Sequence, residues 1–381
     1  MNKRRCFGID WLEMFVSENP RWDYSPEGFR ERGWDVRERD YGTKTMAQMF
    51  VLLDQSGHDF IEIRREPRAV GDKNHKTVYE SGDCYVRLSN MYCYDESPMS
   101  LIERFLSTNR YFIKKIYRID LFIDLARFDG GDLPRKVARR IVNHSYAKIN
   151  QTRRRCAGED TWTECFYNWI SWGNPKSMVS TKFYCKVEEL RANGMSKPWI
   201  VEKWRRDGLV DDVVGLTKDG HEADIWRLEF SIKGNAKGWI WIEGNDAPDS
   251  ARYHLDHTQM LYSTPKGILN AIANLIPYYF RFKIYEEGRR KSLCDDKFLF
   301  SFDGEDVELG YRLTSSSDFG RVRSVQVEDD IIARRYLDKA CMKLLGTKFE
   351  RPLVDMINSL TERISEKHTK IFSLKTDSGI F

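Results

Sequence analysis

The chain has no run of about 18 consecutive apolar residues, so no membrane-spanning helix is expected. Its start, MNKRRCFGIDWLEMF, lacks the continuous apolar stretch of a secretory signal, and acids arrive at Asp10 and Glu13. No C-x-x-C pair is present. The eight cysteines stand at 6, 84, 93, 156, 165, 185, 294 and 341, spacings that suit neither a zinc finger nor a redox pair, so they read as reduced cytoplasmic thiols. Histidine is scarce at seven residues, and the one close pair, His254 and His257, has no third ligand in view and reads as structural. No repeat of solenoid length is visible. Charge of one sign is not in excess either. The 62 Lys+Arg are nearly matched by 58 Asp+Glu, leaving +4, so any basic surface must arise from local clustering.

What is there is a chain of 381 residues, 41% hydrophobic, long enough for one large domain or two smaller ones. Residues 1–50 read as an irregular aromatic-rich segment with turn signals at NPRWDYSPEG. A domain is expected over 51–290, with strands HDFIEIRREP and GDCYVRLSN. A helix in SPMSLIERFLSTN follows, with Ser97 as cap and Pro98 at its first position. Next come a long strand in YFIKKIYRIDLFIDL, a basic helix over 132–155 opened by Asp132 and Pro134, and a polar helix or linker over 191–222. A helix over 265–280 closes the domain. The turn-rich stretch 291–324, containing SSSDFG, reads as a linker, and 325–381 as a helical unit with charged and apolar residues at helical spacing.

Three strands share one habit. In YRIDLFID, Ile119, Leu121 and Ile123 oppose Arg118, Asp120, Phe122 and Asp124. In WRLEFSIK, Leu228, Phe230 and Ile232 oppose Arg227, Glu229, Ser231 and Lys233. In STKFYCKVEEL, Phe183, Cys185 and Val187 oppose Lys182, Tyr184, Lys186 and Glu188. Strands with an apolar back and a mixed-charge front are satisfied in one antiparallel sheet. The predicted fold is therefore α+β: a central antiparallel sheet with helices packed on one face, plus the small helical C-terminal unit. Length sorts the acids. Asp120 and Asp124 are separated along a strand by roughly 13 Å, too far for magnesium–oxygen bonds of about 2.1 Å to bridge. Asp120 and Glu229, on neighbouring strands in matching register, would stand about 5 Å apart.

The helix over 132–155 carries Arg135, Lys136, Arg139, Arg140, Arg153, Arg154 and Arg155, enough to neutralise several phosphates. The aromatics Trp162, Phe166, Tyr167, Trp169 and Trp172 suit base stacking, although core packing is the commoner fate of such residues.

Taken together, YRIDLFIDL, FYCKVEE and WRLEFSIKG resemble, in order and spacing, the motifs of the Rep-trans type of rolling-circle replication initiators. These occur on small plasmids and integrative elements and have conjugative relaxases as relatives. GNPKSM (173–178) also looks like the lead-in to that family's tyrosine strand. The resemblance implies a metal-dependent DNA nicking-joining enzyme whose tyrosine becomes linked to a 5′ phosphate and leaves a 3′ hydroxyl. It places the nucleophile on Tyr184 and basic neighbours on Lys186, Arg118 and Arg227. Asp120, Glu229 and Asp124 would hold Mg2+ or Mn2+, with Asp124 either behind the direct ligands or acting through water, and Lys182 would hold DNA. Origin DNA, a helicase and a homodimeric partner are the implied associations. This sequence departs from the family in having Lys182-Phe183 where Arg and an aliphatic residue are commoner, and the histidine–hydrophobic–histidine motif of wider nicking enzymes is absent. The lysines flanking Tyr184 are expected to favour its phenolate. The rival reading is a non-catalytic, sequence-specific DNA-binding protein.

Overall fold

Two long strands organise the fold: β1 (Arg5–Ser17) and β6 (Phe112–Leu125), paired antiparallel at the middle of a ten-stranded sheet. The structure, a computed structural model, describes residues 5–68, 79–148, 154–156, 169–173, 177–194, 196–210, 224–241, 254–256, 259–285 and 294–315. The chain divides between Ser316 and Ser317. The expected helical unit over 325–381 lies outside the described residues.

The other strands of the large sheet are β2 (Asp35–Glu38), β3 (Met46–Leu53), β4 (Asp59–Pro67), β5 (Asp83–Leu88), β8 (Arg154–Cys156), β9 (Trp169–Trp172), β10 (Val179–Cys185) and β11 (Trp226–Lys233). Their order is β2-β3-β4-β5-β1-β6-β11-β10-β9-β8, and every neighbouring pair is antiparallel. Short strands β7 (Tyr146–Lys148), β14 (Phe282–Ile284) and β15 (Asp296–Lys297) form one small sheet. A second comprises β12 (Ala236–Trp241), β13 (His254–Asp256) and β16 (Tyr311–Ser315).

Register makes one side of the large sheet continuously apolar. Ile61, Leu88, Leu12, Ile119 and Ile232 succeed one another across five strands, and Leu228, Phe183 and Ile170 extend the row of Ile123. All are buried, as period-two alternation requires of a sheet with one covered side. Helices α1 (Pro26–Glu31) and α2 (Pro98–Thr108) meet this side where Phe29 contacts Phe50 and Phe105. Helix α6 (Pro265–Tyr279) leads into Phe280, which packs 5.2 Å from Phe183. Prolines open these helices; Ser25 and Thr264 accept from the Gly28 and Gly267 N–H groups, whereas the Ser97 side chain makes no cap bond.

The α+β expectation stands, with one addition: α5 (Pro198–Arg206) lies over part of the polar side, where Trp204 reaches Asp124. Among the described residues no helix is long and apolar enough to cross a membrane.

Residues 5–50 are not irregular. They supply β1, α1, β2 and part of β3. The period-two signal of β1 is hidden by a bulge at Asp10: Phe7 and Ile9 face the core before it, Leu12, Met14 and Val16 after it. Nor are residues 294–315 a linker, for they belong to the first unit. Side-chain bonds to backbone hold them: Asn274 donates to the Glu308 carbonyl and accepts from the Tyr311 N–H, and Asp129 accepts from the Ser301 N–H. The basic helix is short. Helix α3 spans Pro134–Val142 and stops at Asn143, before His144 turns left-handed at φ 65° and β7 begins.

Candidate active site

Strands β10, β11 and β6 lie side by side, so the three motifs share a surface. Lys182 pairs with Glu229 and Tyr184 with Arg227; across the next ladder Arg227 pairs with Asp124 and Ser231 with Asp120. Direct partners in an antiparallel ladder point the same way, so all six charged or phenolic side chains project from the polar face. The expected matching register of Asp120 and Glu229 is not the one formed. Glu229 stands opposite Phe122, two residues along from Asp120, so the acids are diagonal neighbours.

The side chains sort into two groups. In the first, the Tyr184 hydroxyl donates to Glu229 Oε2 at 3.1 Å, while Lys182 Nζ donates to Glu229 Oε1 at 2.8 Å. Lys186 Nζ stands 3.5 Å from the Tyr184 oxygen and 2.8 Å from Glu189 Oε2. Arg118 grips both oxygens of Asp120, its Nε at 2.9 Å from Oδ1. Strand β10 ends at Cys185, so Lys186 is not a strand residue; it opens α4 (Lys186–Ala192), and the helix start folds its ammonium back over Tyr184. Glu188, in the same helix, pairs instead with Arg135.

In the second group Arg227 is enclosed completely. Its Nε and Nη2 each donate to Asp124 at 2.7 Å, its Nη1 donates to Asp10 at 2.7 Å and to the Tyr94 hydroxyl at 2.6 Å, and its carbon sits 3.9 Å from the Phe122 ring centroid. Asp124 takes a further bond from Trp204 Nε1 at 2.7 Å, and Tyr94 donates to Asp10. Both Arg227 and Asp124 are 0% exposed. This cluster joins β1, β6, β11, α5 and the 3-10 turn Asn90–Tyr94. Asp124 is thus committed to Arg227 and Trp204, away from Asp120 and Glu229.

Burial sets the electrostatics. The Tyr184 phenol is pushed well above its ordinary pKa, first by burial and then by the Glu229 charge. The resting site therefore holds a neutral phenol, the reverse of the expected phenolate. Burial, with the Arg227 charge nearby, lowers the Lys186 ammonium, whereas Glu229 raises Lys182. At Asp10 burial opposes ionisation, but Arg227, Lys186 and Tyr94 override it and hold the carboxyl far below its usual range. Asp120 is pushed up to about 6 by burial and the Glu229 charge, against the opposing pull of Arg118.

The Asp120 shift gives a stability signature. Between about pH 4 and about pH 6 the folded chain retains a proton that the unfolded chain has released, so stability falls as pH rises through that window. Asp120→Asn removes this titration. In chelator, its unfolding midpoint relative to the parent should climb from pH 4 to pH 6 and then level; parallel profiles would contradict the assignment.

Among the described residues no group of three or more His, Cys, Asp or Glu gathers as a metal cluster. The two diagonal carboxylates still fit a magnesium-type ion of the kind that takes one or two carboxylates and completes its shell with substrate phosphate. Burial raises Asp120 first, and the Glu229 charge that adds to it is the repulsion such an ion relieves.

The residues expected to bind DNA divide. Lys182 is 47% exposed, beside the site. Arg135 pairs with Glu188 and Asp224, and Arg140 donates to Tyr146 Oη at 2.6 Å; Lys136 and Arg139 are exposed. Arg154 and Arg155 fall in β8, while Arg153, Trp162, Phe166, Tyr167 and His257 lie outside the described residues. Trp172 is core; Trp169, half-buried, stands opposite Tyr184. Asp10, Tyr94 and Trp204 escape sequence reading, since nothing local marks a residue whose partner is 80 or more positions away.

No family model matches the chain, and no curated protein matches it. Its structure is similar to that of a rolling circle replication initiator protein from Geobacillus stearothermophilus, with 12% identity and a TM-score of 0.42, covering 77% of this chain and 93% of that one.

Proposed function

We propose that this chain nicks and rejoins one DNA strand through Tyr184, at the replication or conjugative-transfer origin of a mobile element. The observation that carries the reading is convergence. Glu229 comes from one motif and Tyr184, Lys182 and Lys186 from another, some 45 positions away, and the phenolic oxygen lies within 3.5 Å of both a carboxylate and an ammonium. The resemblance of the three strand motifs to Rep-trans initiators supplies the reaction class.

In this reading the Tyr184 oxygen attacks the scissile phosphorus and its proton passes to Glu229 Oε2, the acceptor already in place. The new O–P bond leaves a 5′ phosphotyrosine; the bond to the 3′ oxygen breaks, and that oxygen takes up a proton to become the 3′ hydroxyl. Lys186 stabilises the oxygen as its proton departs. Lys182 and Arg118, on the more open part of the face, contact the phosphate. Arg227 contacts no substrate; it holds the floor of the site through Asp124 and Asp10. Asp120 and Glu229 are the residues that would hold Mg2+ or Mn2+, which neutralises phosphate charge when bound. Because the phosphotyrosine conserves the bond energy, the same residues rejoin the strand in reverse.

One observation favours the rival, non-catalytic DNA-binding reading: Tyr184 is only 7% exposed. Nicking requires that DNA or the cation draw Lys182 off Glu229 and open the phenol. The test is supercoiled origin plasmid with Mg2+ or Mn2+, scored for nicked circles and for a denaturant-resistant protein–DNA band. Tight DNA binding with neither product establishes the rival.

A further inference from the structure

Beyond the motif strand β6, the polar face continues across β1 to β5, segments to which the motif resemblance gives no role. Trp11 of β1 pairs with Asp120, which places it on the face that carries Tyr184. The strands on either side of it contribute Arg87 and Arg118, whose guanidinium carbons lie 4.4 and 4.5 Å from the Trp11 ring centroid. These arginines are 28% and 32% exposed, and the ring is half-buried. Beyond them Tyr117, 38% exposed, packs with its ring centroid 4.4 Å from that of Tyr85, the planes inclined at 57°. With strands about 4.8 Å apart, Trp11 and Lys182, three strands distant, lie on the order of 14 Å from each other.

We propose that Arg87, Trp11 and Arg118 form a stacking ladder for single-stranded DNA that leads across the sheet to Tyr184. Two features select an unpaired strand over a duplex. Planar groups alternate on an accessible sheet face, and both aromatic rings and guanidinium planes accept unstacked bases. The cations also come already matched with acids, Arg118 with Asp120, Arg87 with Glu62 and Lys182 with Glu229. Duplex binding by phosphate neutralisation needs uncompensated positive charge; stacking does not. Trp11 sets the ladder's geometry, since its ring supports both guanidinium groups.

The inference rests on the nicking reading for the identity of the nucleic acid, and its test is independent of nicking. Full-length Tyr184→Phe protein is titrated with a labelled mixed-sequence single strand and with the matching duplex. The single strand should bind more tightly, with a log–log salt slope shallower than about −2. Trp11→Ala should weaken it about 10- to 100-fold and Arg87→Gln about 5-fold, while Trp11→Phe stays within about threefold of the parent. An oligonucleotide carrying photoactivatable thymines should crosslink to the peptide containing Trp11 or Tyr117. Tighter duplex binding, unchanged affinity in both Trp11→Ala and Arg87→Gln, or crosslinks only elsewhere would overturn the ladder. If Trp11→Ala does not fold, Arg87→Gln and the crosslinked peptide decide. Single-strand binding without nicking by the parent protein would keep the ladder and remove only the chemistry.

Discussion

Tyr184→Phe should abolish the covalent protein–DNA band and reduce nicked-circle formation by at least about a thousandfold, with DNA affinity nearly unchanged. The size follows from the role. A ring without its hydroxyl cannot form the O–P bond, and among the described residues no second tyrosine bonds Glu229. The substitution should not unfold the protein, because it forfeits one hydrogen bond to Glu229 while Lys182 continues to satisfy that carboxylate. Glu229→Gln is the companion measurement. If Glu229 takes the phenol proton, nicking by this variant falls at every pH and excess Mn2+ does not restore it; if the carboxylate serves only the cation, excess Mn2+ restores it, and if it only shapes the pocket, Gln retains most of the activity. A Tyr184→Phe protein that nicks as well as its parent removes the nucleophile and the proposal with it.

The second large effect is on stability. Asp124→Ala should cost about 3–5 kcal/mol, measured as a shift in the urea midpoint, because it strands a fully buried guanidinium and the Trp204 N–H. An exposed pair provides the comparison. Glu38→Ala breaks the Arg30–Glu38 contact, with both side chains about half exposed, and should leave the urea midpoint close to the parent's. The contrast decides what Asp124 is for. Were it chiefly a metal-site acid, its loss would alter cation dependence and leave the apo protein's midpoint nearly where Glu38→Ala leaves it.

Much of the site was legible because three strands keep strict alternation. Alternation fixed which side chains of β6, β10 and β11 share a face, and that face does carry Tyr184, Glu229 and Asp120. Alternation does not fix register, so the acids turned out diagonal. Nor does it reveal where a strand ends: Cys185 closes β10, and Lys186 reaches Tyr184 from a helix. The greatest omission was β1, where one bulged residue reverses parity and the window averages to no period. The stretch 294–315 misled for another reason. Its order comes from Asn274 and Asp129 bonding to backbone, a device without periodicity. Burial was illegible altogether, and it reverses the expected tuning of the phenol: lysines beside a tyrosine suggest acidification, whereas enclosure beside a carboxylate does the opposite.

The position of β1 has a consequence for biosynthesis. Its two sheet partners are Asp83–Leu88 and Phe112–Leu125, so β1 is made before both and must wait for them. At a synthesis rate of about 5–20 residues per second, that delay is on the order of 5–20 seconds, during which an apolar strand with two unsatisfied edges is exposed. The sheet cannot close around its centre until β6 has left the ribosome.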